Sequence, residues 1–116
     1  MSVDIDFVEY TETCDWCCHR PVGEHYGSSN YTSNTNAFLA DDPTFTSWRD
    51  LPHLASEAEP ILRGWLETVA NTPLPKIVDI EERCSGWGTL SGFIDFLVWC
   101  IDMAIEHPDA VVEVSV

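Results

Sequence analysis

Three of the five cysteines and two of the four histidines fall within the twelve residues that begin at Cys14. The run reads Cys14-Asp15-Trp16-Cys17-Cys18-His19-Arg20-Pro21, and His25 follows. Two cysteines separated by two residues make a tight knuckle whose thiolates converge on one ion, and tetrahedral zinc needs four ligands. Cys14 and Cys17 form the first pair, and Cys18, His19 and His25 compete for the remaining two places. Such a zinc is structural, since binding energy becomes folding energy in a segment with no core of its own. Three other readings stay open: a four-cysteine site shared across a homodimer, a redox pair, or reduced thiols. A thioredoxin-like motif should open a helix, whereas Pro21, Gly23 and Gly27 follow here. An odd cysteine count disfavours a disulfide framework.

A second cluster is polar and uncharged. Asn30-Tyr31-Thr32-Ser33-Asn34-Thr35-Asn36 packs amides and hydroxyls into seven positions. Structurally, these side chains bond to nearby backbone and start a helix through Ala37-Phe38-Leu39-Ala40. Functionally, Asn30, Thr32 and Asn34 with Trp87 of Gly86-Trp87-Gly88 make a pocket for a small nucleotide or amino acid. Glycines before a helix bring N–H groups near an anion, but no basic residue lies within two positions of this turn. No local arrangement of Ser, His and Asp, or of Cys17 with His19, forms a catalytic signature.

The elements that hold these residues are read from periodicity. Val3-Asp4-Ile5-Asp6-Phe7 alternates apolar and acidic, which predicts a strand with one buried face. Val111 to Val116 is rich in β-branched residues and predicts a second strand paired with the first. Apolar residues at 54, 58, 61, 62, 65, 66 and 69 predict a helix over 54–71, with Ser56 and Glu59 as a capping box and Pro60 in its first turn. A second helix over 89–107, capped by Thr89 or Ser91, is apolar on two faces, as a central helix or one with a partner must be. The stretch from Thr11 to Pro52 shows little periodicity, and its 11–29 part is expected to be a zinc-held excursion. The prediction is one α+β domain over 1–116, a small sheet with adjacent terminal strands against two main helices.

Composition narrows the function. Five Lys and Arg against 20 Asp and Glu give a net charge of -15, which repels phosphate backbones and anionic membranes. No run of 18 apolar residues offers a spanning helix, and the acidic N-terminus does not read as a signal peptide, so a cytoplasmic location is expected. Two readings of the acidity remain: a solvated surface suited to a salt-loving host, or a face that occupies a basic surface on another protein.

Four features together resemble a group of small uncharacterised proteins of bacteria and their phages: Cys14-Asp15-Trp16-Cys17, Asn30-Tyr31-Thr32-Ser33-Asn34, Gly86-Trp87-Gly88 and Pro108-Asp109-Ala110-Val111-Val112-Glu113-Val114-Ser115. The usual Gly-Arg after the second cysteine of that group reads Cys18-His19-Arg20 here, which leaves open whether Cys18 or His19 serves as a ligand. The resemblance implies one α+β domain in a bacterial cytoplasm, the host's if phage-encoded, and imports no activity. Size, acidity and the lack of catalytic chemistry together suggest a non-enzymatic accessory protein. Its expected partner is a host or phage protein, and inhibition of host defence is one such role. A small-ligand or hydrolytic protein built on Asn30, Thr32, Asn34 and Trp87 is the alternative.

Overall fold

The alternation at the N-terminus becomes a strand whose Val3, Ile5 and Phe7 are buried while Asp4 and Asp6 point to the other face. A computed structural model of the chain describes residues 2–14 and 20–116, with side chains described for 2–10 and 24–116. The elements run β1 (Ser2–Cys14), β2 (Arg20–Thr32), two 3-10 helices (Ser33–Leu39 and Trp48–Asp50), α1 (Ala55–Ala70), α2 (Leu74–Cys84), α3 (Leu90–Glu106) and β3 (Val111–Ser115). The three strands form one antiparallel sheet in the order β2-β1-β3, so the fold is α+β with its terminal strands adjacent. The pairing Asp4↔Ser115, Asp6↔Glu113 and Val8↔Val111 fixes the register.

The inner face of the sheet packs on the helices. α3 is the central one: Phe93, Phe96, Leu97, Cys100, Ile101 and Ala104 are buried, against α1 and the first two strands. Thr89 caps it, accepting from the Gly92 N–H at 3.0 Å. α1 buries Ala58, Leu62, Trp65 and Val69 at helical spacing. Its start corrects the capping-box expectation. Ser56 is already inside the helix, and the Ala55 and Ser56 N–H groups donate to the Ala110 and Pro108 carbonyls at 2.9 and 3.0 Å. Pro60 therefore lies beyond the first turn.

Two further differences matter. Pro73 and Pro75 follow the helix expected over 54–71 and would stop it, yet they also begin α2, because proline needs no N–H in a first turn. The segment expected to be an element-free excursion is largely a β-hairpin, with β1 and β2 paired from Ser2↔Thr32 to Cys14↔Arg20. The ladder gives residues 20–29 their backbone form. The register slips at Phe7/Val8, leaving Tyr26 as an extra residue on β2, and there it stacks on His107 with ring centroids 3.8 Å apart.

A polar network unforeseen from sequence ties the chain between the 3-10 helices to α1. The Asp42 carboxylate accepts from the Thr44 N–H at 2.8 Å, the Thr44 hydroxyl at 2.6 Å and the Thr68 hydroxyl at 2.6 Å. Thr44 Oγ1 in turn accepts from the Trp65 indole N–H at 2.9 Å. Burial alone would push the Asp42 carboxyl up, but these hydrogen bonds outweigh it and hold the pKa below the ordinary 3.8.

Candidate functional site

The face of the sheet turned away from the helices is acidic and open. Asp4 and Asp6 project from β1, and exposed Glu113 and Ser115 from β3. From β2 come exposed Ser28 and Asn30, the cross-strand partners of Asp6 and Asp4. No Lys or Arg occurs among the described side chains of the three strands. Asp6 and Glu113 are direct register partners, an arrangement in which like charges on one face lower sheet stability. His25 Nε2 sits 3.0 Å from Asp6 Oδ1, and the Tyr10 hydroxyl donates to Glu113. That hydrogen bond, with some burial and the repulsion of Glu113 and Asp6, raises the Tyr10 pKa.

The described cations are engaged elsewhere. Arg63 pairs with Glu59, Arg83 with Asp79 at 2.6 Å, and Lys76 with Asp41 at 2.5 Å. Arg49 donates to the Val116 carbonyl at 3.3 Å. None of these residues belongs to the sheet.

At the Ser2–Thr32 end, the acidic face runs into an open groove of about 670 Å³ lined by Ser2, Asn30, Tyr31, Thr32, Asn34 and Trp87. The structure thus brings together all four residues proposed from sequence for a pocket. Sequence reasoning missed Ser2 and Tyr31. Ser2 enters because it pairs with Thr32, and Tyr31 because its hydroxyl accepts from the Thr89 N–H at 3.0 Å, fastening β2 to the start of α3. Asn36 shares the motif but not the site, since its Oδ1 accepts from the buried Trp48 indole at 2.8 Å. The Asn34 N–H points to Thr32 Oγ1 at 3.4 Å, the cap of the first 3-10 helix. Among the described residues, the side-chain amides of Asn30 and Asn34 have no hydrogen-bond partner.

The Gly-Trp-Gly turn sets the outer wall. Ser85 and Gly86 adopt left-handed conformations with φ of 51° and 84°, reversing the chain after α2. Gly88 is then pressed against the first 3-10 helix, where a Cβ would stand 2.7 Å from the methyls of both Thr32 and Thr35. Held from both sides, Trp87 remains 76% exposed. The α3 N-terminus beside it is occupied by the protein's own groups, since Glu81 Oε1 accepts from the Leu90 N–H at 2.8 Å and Thr89 from Gly92. It is not an open anion site.

For the metal set, Cys17, Cys18 and His19 lie outside the described residues, as does the side chain of Cys14. The register does place His25. It faces Val8, five residues along β2 from Arg20, the partner of Cys14. At about 3.3 Å per residue this is roughly 17 Å, far beyond the reach of ligands on one ion. His25 therefore leaves the set drawn around Cys14. Cys84 and Cys100 are buried free thiols, and burial raises the pKa of both. Among the described residues no helix is long and apolar enough to cross a membrane.

No family model, curated protein or solved structure matches the chain.

Proposed function

We propose that the chain is a non-enzymatic accessory protein that binds a basic segment of another protein along the outer face of its sheet. The carrying observation is the Asp6–Glu113 pairing, with Asp4 beside it and no Lys or Arg among the described side chains of the three strands. A sheet that accepts like charges across a rung gives up stability, and a positively charged partner restores it. The resemblance to bacterial and phage proteins makes a host protein the partner class, and inhibition of a defence protein one consequence of such binding. A structural zinc held by Cys14, Cys17, Cys18 and His19 is part of the same proposal.

The test is affinity capture from a bacterial lysate, wild type against an Asp4→Asn/Asp6→Asn/Glu113→Gln variant. The expected result is a stoichiometric basic polypeptide held by wild type, released by salt and absent from the variant. A partner retained equally by both proteins overturns the reading.

One observation favours a second reading: unpartnered Asn30 and Asn34 face the same groove as an exposed tryptophan. On that reading a small nucleotide or amino acid binds there, and Trp87→Ala abolishes its retention during purification while the sheet variant does not.

A further inference from the structure

We propose that the groove beside Trp87 is an arginine pocket, which takes one guanidinium from the basic segment that lies on the sheet. This deepens the reading above and rests on it.

The first argument is preorganisation. Trp87 is displayed by a turn with two consecutive left-handed residues and a glycine locked against two threonine methyls, so the backbone that carries its indole is set before any partner arrives. A large aromatic ring left 76% exposed gains nothing for the fold, and a rigid ring loses little entropy on binding. The second argument is the chemistry of the walls. Asn30 and Asn34 carry amide oxygens with no partner among the described residues, and Ser2 and Thr32 add hydroxyls. Asp4 stands opposite Asn30 on the neighbouring strand and accepts from the Ser2 hydroxyl at 3.3 Å. Among the described residues no cation lines the groove; Arg83 lines a smaller cavity with Asn34 and is paired with Asp79.

An anionic ligand would meet Asp4 and the net charge of -15. A cation is favoured, and the walls distinguish between cations. Guanidinium is planar, stacks on an indole face and directs five donors outward in a fixed fork, which suits acceptors spread around a flat ring. An ammonium is compact, more strongly hydrated and gains less from the same ring. Asp4 and Asp6 are two residues apart on one strand, about 7 Å, so an extended segment with alternating basic residues places one in the groove and the next over the sheet.

The experiment is a calorimetric titration of the full chain with two synthetic peptides of equal length and charge, an Arg-Gly repeat and a Lys-Gly repeat. Wild type is expected to bind the arginine peptide about threefold to tenfold more tightly, the range of an exposed to partly desolvated cation–π contact. Trp87→Ala, whose side chain lies outside the buried core, should lower arginine binding to near the lysine level and weaken lysine binding much less. Equal binding of the two peptides by wild type, or an arginine preference that survives Trp87→Ala, overturns the arginine pocket while leaving a basic partner in place. If wild type binds neither peptide at low salt, the reading of the sheet itself fails.

Discussion

Removing the Asp42 carboxylate tests whether a single buried group holds the 40–46 segment on α1. Three donors converge on it, two from Thr44 and one from Thr68, and Trp65 is attached through Thr44. A hydrogen bond to a charged acceptor contributes about 1.5–3 kcal/mol, and such bonds sharing one acceptor do not add fully. Asp42→Ala should therefore cost about 3 kcal/mol, or about 12 °C of melting temperature for a domain of this length. Asp42→Asn keeps an oxygen toward Thr44, and the Thr68 hydroxyl can rotate to accept, so only charge assistance is lost, about 1 kcal/mol. The pH dependence follows from the depressed pKa. With the folded value below the ordinary 3.8, the contribution is fully present above that pH and is lost as pH falls through the folded value. Chemical denaturation at neutral pH and below about pH 3 should thus show the wild-type advantage over Asp42→Asn shrinking in acid. An Asp42→Ala protein within about 0.5 kcal/mol of wild type, or an Asn variant as damaged as the Ala variant, refutes the account.

Close packing around two glycines and the place of His25 set other outcomes. Gly88→Ala should cost about 1–3 kcal/mol by overpacking, and Thr35→Ser in the same chain should recover part of it in thermal melts, because it removes one of the two methyls at 2.7 Å. Gly92→Ala should likewise destabilise and displace Tyr31, since a Cβ there stands 2.8 Å from Tyr31 Cζ, and near-ultraviolet dichroism reports the change. Elemental analysis should find about one zinc per chain, lost in Cys17→Ser and retained in His25→Ala. Metal-free wild-type protein ends the zinc proposal, and metal loss in His25→Ala contradicts the placement of His25 five residues along β2 from Arg20.

Periodicity made the helices legible. α1 and α3 appear within one residue of the expected spans because each buries a stripe that repeats every three or four residues. α2 escaped notice because it buries only Ile80 and Cys84, and its leading prolines read as a terminator. β2 escaped because the extra residue Tyr26 interrupts its alternation, and its glycines and serines carry little hydrophobic signal. The groove was legible in part. Asn30, Thr32 and Asn34 alternate along one segment and Trp87 sits between glycines, whereas the place of Ser2 depends on cross-strand register. The same limit explains Asn36: its type matches its neighbours, but the 3-10 helix turns it to Trp48. Register also separates the charge into a meaningful part and a bland one, because only pairing shows that Asp6 meets Glu113.

That pairing gives a way to separate a salt-adapted surface from a binding face. Directly opposed side chains have Cβ atoms about 5 Å apart, inside the screening length of about 10 Å at 0.1 M salt. Repulsion between Asp6 and Glu113 should therefore weaken over the first few tenths molar of sodium chloride and change little beyond. Glu113→Gln keeps an oxygen for the Tyr10 hydroxyl and removes the opposed charge, so at low salt it should stabilise the protein by about 0.2–1 kcal/mol. Its melting temperature should then respond less to salt than that of wild type. A surface-wide adaptation behaves differently: stability keeps rising toward molar salt, and one neutralised glutamate among 20 acidic residues leaves the curve almost unaltered. Melts of both proteins across that range decide the matter, and parallel curves that climb to molar salt would remove the physical ground for placing a partner on this face.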